Sequence, residues 1–439
     1  MHILHISMSP FESTYGGLEV YLRQIVQWQV NHGNDVWVLS IYWHGDCWRE
    51  ISIRDEPNLH VLEFHLPVKL QNLDFSRSNV QLKQHLRQLI ARIHPDICHG
   101  HHGFAYEAVE ICREFGIPAI YTAHCGEPFC PTGMLLKPNG KICDGTFSWR
   151  KCLFCRTYTL PMGFLLRFLV RMLPERIIRW FELKIDLWPF ILFLTPLFTE
   201  TRYLRKLQRE IKCLSLCDLV IAPSHASAEL VKSSGLTAPV EVLPHALPKT
   251  IDTLPFPGFH DGIVHFYYSG RICAVKGIHI LLKAFSLLTH SNWRLHIIGE
   301  SSETEEKIYK NNMLKTFTDP RIIWHGKVAH EKLADLIKDY HIMIHPACWF
   351  EVYGLSVAEA LAFGRPVIAT ACGGPEEQIL HGKNGWIIPK NDVNALTNLI
   401  DTILNDPLKL KAFQPQPKVP FADYMERLMN TYKRICGKM

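Results

Sequence analysis

The chain has 439 residues, 47% hydrophobic and 20% charged, with a formal net charge of +5 at pH 7. That length exceeds one ordinary core, so two domains are the natural prior, and the apolar share excludes a disordered or low-complexity chain. So small a net charge on so long a chain gives no ground for a nucleic-acid partner.

The first half alternates short apolar runs with helical periodicity. His2–Ile6 predicts a strand that runs directly into a loop, too short for the apolar region of a secretory signal. Fourteen scattered cysteines without such a signal suggest reduced thiols in a cytoplasmic compartment. After Gly16-Gly17 come a helix over Leu18–His32 and a strand over Val36–Ser40. The spacing then predicts a helix over Val80–Ile93, a strand over Ile97–His99, a helix over Ala105–Phe115 and a strand over Pro118–Thr122 that leads to His124. Such alternation argues for a parallel sheet covered on both faces, with the ligand crevice beyond the carboxyl ends of its strands. Gly16, Gly17 and His124 each follow a strand and should line that crevice.

A strand over Cys217–Ala222, a helix to about Gly235 and a strand over Val240–Leu243 lead to the turn Pro244-His-Ala-Leu-Pro248, the expected hinge. The pattern then restarts. Strands are expected over Ile263–Ser269, Trp293–Gly299, Arg321–Trp324, Ile342–His345, Pro366–Thr370 and Gly385–Ile388, with helices over Gly277–Leu288 and Glu331–Tyr340 among them. After Pro415, Pro417 and Pro420 a last helix covers Asp423–Ile435. The expected organisation is a first Rossmann-like domain over 1–246, a second over 247–414 and a tail over 415–439.

The run Glu351-Val-Tyr-Gly-Leu-Ser-Val-Ala-Glu359 carries the chemistry. A buried strand ends before it, Gly354 breaks a loop within it, and Leu355, Ala358, Leu361 and Ala362 space a helix that closes at Gly364-Arg-Pro366. Strand, glycine loop and helix N-terminus make an anion site, because free N–H groups and the helix dipole face one point. Two carboxylates flanking that point suit a ligand that is anionic in the middle and hydroxylated at its ends. A sugar nucleotide fits. Arg271 and Lys276 flank another loop after a strand, offering a planar fork and a mobile point charge to a diphosphate.

These motifs together, Gly16-Gly17, Thr122-Ala-His124, Gly270-Arg271 with Lys276-Gly277, and Glu351 through Val367, resemble the retaining glycosyltransferases of family 4, with their E-x7-E motif and GT-B fold. The resemblance covers nearly the whole chain and implies an α/β fold of two Rossmann-like doubly wound domains facing a cleft. It implies that Arg271 and Lys276 hold the donor diphosphate and offset its charge as it leaves, without a catalytic metal or other cofactor. It places Glu359 on the ribose hydroxyls, Glu351 and His124 at the transferred sugar, and the N–H groups of Gly354, Leu355 and Ser356 on the phosphates. Gly16 and Gly17 would allow close backbone approach, and Glu19 matches an acidic position near the acceptor. The chain has His124-Cys125 where the family more often has His-Asp. The last helix is expected to return to the first domain.

Two segments stand outside that scheme. Cys125, Cys130, Cys143, Cys152 and Cys155 crowd into the loop 125–155, and Cys130, Cys143, Cys152 and Cys155 could hold a structural Zn(II); unliganded thiols or an iron–sulfur cluster are the alternatives. Residues 150–212 carry thirteen Lys/Arg against five Asp/Glu, a surplus of eight. Within the insert over 160–212, Arg167, Arg171, Glu175, Arg179 and Glu182 form a charged stripe on an otherwise apolar helix. The apolar runs are too short and proline-broken to span a bilayer, so the insert suits an anionic membrane surface, or packs on the first domain with its charges at the rim.

The expected activity is transfer of a hexose-type sugar from a nucleotide-sugar donor, with retention, to a glycan or lipid-linked saccharide, as in cell-surface polysaccharide synthesis. The setting is the cytoplasm, with peripheral contact at the inner membrane face. A sugar-nucleotide epimerase of the same fold and a non-catalytic membrane scaffold are the rivals.

Overall fold

The computed structural model describes residues 1–13, 17–68, 80–103, 105–159, 163–174, 176–177, 195–247, 251–259, 261–413 and 420–438. The chain divides into two compact units. One comprises Met1–Leu243 with Met425–Met439, the other Pro244–Tyr424, so the division falls just ahead of the boundary expected at 246.

In the first unit the strands are β1 (His2–Ser7), β2 (Asp35–Trp43), β3 (Arg49–Glu56), β4 (Leu59–Leu66), β5 (Ile97–Gly100), β6 (Ala119–Thr122), β7 (Leu219–Ala222) and β8 (Val240–Val242). They lie in the order β3-β4-β2-β1-β5-β6-β7-β8. All pairings are parallel except β3 on β4. Helices α1 (Gly17–Asn31), α2 (Val80–Ile93) and α3 (Ala105–Glu114) connect the first strands, each burying an apolar stripe. Between β6 and β7 come α4 (Trp149–Arg156), α5 (Gly163–Met172) and α6 (Thr195–Leu214), and α7 (His225–Ser233) precedes β8.

The β3–β4 pair was not expected. In β4, Glu63 and His65 interrupt the apolar run, yet both are buried. Tyr42 donates to Glu63 Oε2 at 2.5 Å and His65 Nε2 lies 3.1 Å from the same oxygen, so the polar groups satisfy one another inside the sheet.

The second unit holds β9 (Val264–Ser269), β10 (Trp293–Ile298), β11 (Ile322–Gly326), β12 (Ile342–His345), β13 (Val367–Thr370) and β14 (Gly385–Ile388), ordered β11-β10-β9-β12-β13-β14. Every pairing is parallel. Its helices are α8 (Ile278–Ser286), α9 (Thr304–Thr316), α10 (His330–Ile337), α11 (Leu355–Ala362), α12 (Gly374–Gln378) and α13 (Val393–Asn405). Alternate strand residues face opposite layers. Phe266 and Tyr268 pack with α8 and α13, while Tyr267 packs with α10 and α11. This is a doubly wound sheet.

The last helix, α14 (Phe421–Ile435), carries the chain back to the first unit. There the Tyr432 hydroxyl lies 2.5 Å from His99 Nδ1, and Arg434 and Lys438 pair with Glu241 and Asp96.

Candidate active site

The second unit gathers most of the expected site at the carboxyl ends of β9, β12 and β13. After β9 the chain turns through Gly270 to Arg271 and then Lys276. Gly277 caps α8 with φ of +75°, and a Cβ there would fall 1.9 Å from the Pro346 carbonyl oxygen. That close approach, with the Cys348 N–H donating to Val275 O at 2.8 Å, clamps the Lys276 loop to the segment after β12. The clamp brings Lys276 against Glu351.

Glu351 is buried and highly coordinated. Lys276 Nζ pairs with its Oε1, Trp349 Nε1 donates to it at 2.6 Å, and His345 Nε2 stands 3.6 Å away. Lys276 also lies 5.1 Å above the Trp349 ring. Burial pushes the Glu351 carboxyl up, but Lys276 and His345 outweigh it and hold the group well below the ordinary carboxylate range. The loop is further fixed by the Glu351 N–H to Cys372 O and the Gly374 N–H to Glu351 O, both 2.8 Å.

Gly354 caps α11 with φ of +84°, beside Pro375. The first N–H groups of α11, from Leu355 and Ser356, therefore begin where the glycine releases the chain. Ser356 Oγ lies 3.5 Å from His345 Nδ1. Glu359 follows on α11 and meets His330 Nε2 at 3.1 Å, a hydrogen bond that raises the His330 pKa. Arg271 Nε stands 3.3 Å from Glu306 on the first turn of α9. The structure thus brings Arg271, Lys276, Glu351, Gly354, Leu355, Ser356 and Glu359 into one unit, with both cations and both glutamates already engaged.

Sequence reasoning missed His345, Trp349, His330 and Glu306, which hold these residues. It also missed Lys390 just past β14. Its Nζ is buried without a hydrogen-bond partner among the described residues, and burial lowers its pKa. An unmatched ammonium at the end of a parallel strand is suited to an anion. Its position beyond the strand was the signal available.

The other expected residues lie in the first unit. Gly17 opens α1, carrying Glu19 in its first turn, and Gly16 lies outside the described residues. His124 sits two residues past β6, its Nε2 3.2 Å from His101 Nδ1 and its ring edge-on to Tyr21 at 5.0 Å.

Among the cysteines, α4 carries Cys152 and Cys155 one turn apart. Burial, then the neighbouring thiols Cys130 and Cys143, push Cys152 up to about 12 and Cys155 up to about 11. Among the described residues the groups whose ligand atoms lie within 4.8 Å are His5/His99/His101 and His102/Cys125/Glu127. The four expected zinc ligands are not one of these groups.

In the basic insert, Arg209 pairs with Glu107 at 2.9 Å, Lys206 with Glu210 at 3.2 Å, and Arg156 with Glu200. Part of the positive surplus is therefore turned inward. Phe164, Phe168 and Met172 stand on one face of α5, exposed by 74, 59 and 69%. Arg167 and Arg171 of the same helix lie over Tyr158 and Phe154. Glu175, Arg179 and Glu182 lie outside the described residues, and no described helix is long and apolar enough to cross a membrane.

Two family models match the chain: Glycosyltransferase Family 4 over residues 15–178 and Glycosyl transferases group 1 over residues 257–418. Together they cover about three quarters of it, each one on a single unit's sheet. The chain belongs to the family 4-like GT-B glycosyltransferases. A D-inositol 3-phosphate glycosyltransferase of Pseudarthrobacter chlorophenolicus is 29% identical over 34% of this chain and 36% of its own length. The capsular polysaccharide biosynthesis glycosyltransferase CapM of Staphylococcus aureus is 31% identical over 32% and 36%. The matched stretch thus spans about a third of the length of these relatives. Among solved structures, sucrose-phosphate synthase of Thermosynechococcus elongatus superposes with a TM-score of 0.64 at 16% identity, covering 100% of this chain and 97% of that one. Anabaena HepE in complex with UDP gives 0.62 at 16%, covering 100% and 98%. These likenesses establish the GT-B fold of this glycosyltransferase.

Proposed function

We propose that the protein transfers a hexose-type sugar from a nucleotide diphosphate donor, with retention of configuration, to a glycan or lipid-linked saccharide. The carrying observation is the Lys276–Glu351 pair beside Arg271 and the glycine-capped start of α11. A leaving diphosphate needs cations and N–H donors where its charge grows, and these groups supply both. The anomeric carbon–oxygen bond to the diphosphate breaks, the leaving oxygen keeps the electron pair, and the acceptor hydroxyl oxygen bonds to the same carbon from the same face. Its proton passes to a leaving-phosphate oxygen. Glu359, oriented by His330, accepts the ribose hydroxyls, and Glu351 and His124 serve the sugar.

HepE solved with UDP and with UDP-glucose, and CapM in capsular polysaccharide biosynthesis, support a uridine donor and polysaccharide synthesis as the first readings to test. Phe164, Phe168 and Met172 beside Arg167 and Arg171 support peripheral contact with an anionic cytoplasmic membrane face. A Zn(II) on Cys130, Cys143, Cys152 and Cys155 belongs to the same proposal, as a staple for the cysteine-rich loop.

The test is a thermal-shift panel of UDP-, GDP- and ADP-sugars with EDTA present, repeated on Arg271→Ala and Glu359→Ala. Stabilisation by one nucleotide family, lost in both variants, supports the donor site. Folded protein that responds to no sugar nucleotide overturns it. Conversion of the donor with no acceptor present would identify an epimerase instead.

A further inference from the structure

The loops after β5 and β6 bring together three side chains that the sugar-nucleotide site does not use. His102 stands two residues past β5, while Cys125 and Glu127 stand three and five past β6, its neighbour in the sheet. One ring nitrogen, one thiol sulfur and one carboxylate oxygen from these residues all lie within 4.8 Å of one another. His102 Nε2 is 2.8 Å from Glu127 Oε2. The other ring nitrogen, Nδ1, is buried, and among the described residues it makes no hydrogen bond of ordinary geometry.

A tight turn joins the last two members. A Cβ on Gly126 would fall 2.4 Å from Leu135 Cδ1 and 3.1 Å from the Gly133 carbonyl oxygen, so the backbone between Cys125 and Glu127 is pressed onto a buried leucine. Glu127 opens one turn of 3-10 helix, closed by the Phe129 N–H to Gly126 O at 3.0 Å. His102 and Cys125 are half-buried and Glu127 is exposed, which leaves an entry path from solvent.

We propose that His102, Cys125 and Glu127 bind a Zn(II)-type cation, with the fourth position left to water or another oxygen ligand. The site is built without Cys130, Cys143, Cys152 or Cys155. A set of imidazole nitrogen, thiolate sulfur and carboxylate oxygen suits Zn(II), whereas Mg(II) and Ca(II) take oxygen. Thiolate and carboxylate together cancel the two charges of the ion. Zinc bonds of about 2.0–2.3 Å set tetrahedral ligand atoms about 3.3–3.6 Å apart. The His102–Glu127 pair therefore has to open by about half an ångström, and any wider pair to close by about 1.5 Å at most, which side-chain rotation supplies. The other close group, His5, His99 and His101, is a poorer cage. It is buried, it has no acidic member, and His99 already uses both nitrogens on Tyr432 and Thr122 Oγ1, at 2.5 and 2.7 Å.

An accessible site with three protein ligands gives up its ion to chelators, so the test supplies the metal. Full-length protein is stripped with EDTA, freed of chelator and titrated with Co(II) under nitrogen. The expected spectrum has a near-ultraviolet sulfur-to-cobalt band and the visible bands of tetrahedral cobalt, quenched by Zn(II). The four-cysteine loop is able to give a similar band, so the variants decide. Cys125→Ser should remove one binding step, and Cys152→Ser should leave that step in place. Glu127→Gln, at an exposed position where the fold is not at stake, should weaken the same step about tenfold or more. It decides the matter even if Cys125→Ser melts early. Folded protein that takes up no cobalt overturns the proposal, and so do Cys125→Ser and Glu127→Gln titrations that match wild type. None of these readouts involves sugar transfer, so the site stands or falls apart from the transferase reading.

Discussion

Replacing Lys276 by methionine tests whether the Lys276–Glu351 pair is a buried charge pair or a loose surface contact. Glu351 is buried and only 18% of the Lys276 side chain is exposed, so the variant strands a carboxylate away from water. Removing one partner of a buried pair costs about 3–5 kcal/mol. Trp349 still donates to Glu351 at 2.6 Å, which favours the lower end, about 3 kcal/mol. A unit spanning Pro244–Tyr424 loses about 2–4 °C per kcal/mol, so its transition should fall by about 6–12 °C. Scanning calorimetry reads the fall, and hydrogen exchange in peptides covering β12 and α11 assigns it to the second unit.

Two controls sharpen that result. Adding Glu351→Gln removes the stranded charge and should return most of the lost stability without returning donor binding. Acid should also narrow the gap. In the wild type the Glu351 pKa is depressed, so the pair's contribution is complete above the ordinary carboxylate value and fades as pH falls below it. In the variant, burial without the cation lets Glu351 take a proton at higher pH, which relieves the penalty. A single variant that melts within about a degree of wild type, less than 1 kcal/mol for a unit of this size, would refute the buried-pair argument. So would a double variant no better than the single.

Acid should also destabilise each unit through a neutral buried histidine. Burial lowers His5 from 6.5 to about 4 and His245 to about 3, so each opposes unfolding fully above pH 6.5 and loses that contribution as pH falls. By pH 5 each accounts for about 2 kcal/mol, seen as a lower urea midpoint than at pH 7.5; a flat profile between those values would contradict the assignment. If the cysteine cluster holds zinc, elemental analysis of the purified protein gives about one Zn per chain, and Cys152→Ser removes it; zinc-free, folded wild type excludes the site. Phe164→Asp with Phe168→Asp should lower flotation with anionic vesicles about tenfold or more and leave thermal stability unchanged. Equal flotation would remove α5 from membrane contact.

Much of the donor side was legible because it is written locally. Gly354, the apolar spacing of α11 and the strand before Pro346 lie within a few turns of one another, so residue order alone places the E-x7-E stretch at a strand end and a helix start. The residues that hold it were not legible. His330 stands 29 positions before Glu359, and Glu306 belongs to α9, a polar helix with no buried residue and hence no apolar period to read. The β3–β4 pair was hidden for a related reason, since Glu63 and His65 look like surface residues until Tyr42 meets them. The contact of His101 with His124 lay further out of reach, since only the neighbouring places of β5 and β6 in the sheet align the two, and strand order is a long-range property.

The return of α14 bears on the order in which the protein can be made. Everything from Pro244 to Tyr424 is synthesised between the first unit's sheet and its last helix. Met429 and Tyr432, which meet Gln29 and His99, are thus translated after the whole second unit. On the ribosome the second unit can complete its own core while the first still has the buried His99 waiting for Tyr432. Folding of this chain is then nested rather than sequential: the earlier unit closes last, and a nascent chain halted before residue 425 would hold a finished second unit and an unfinished first one.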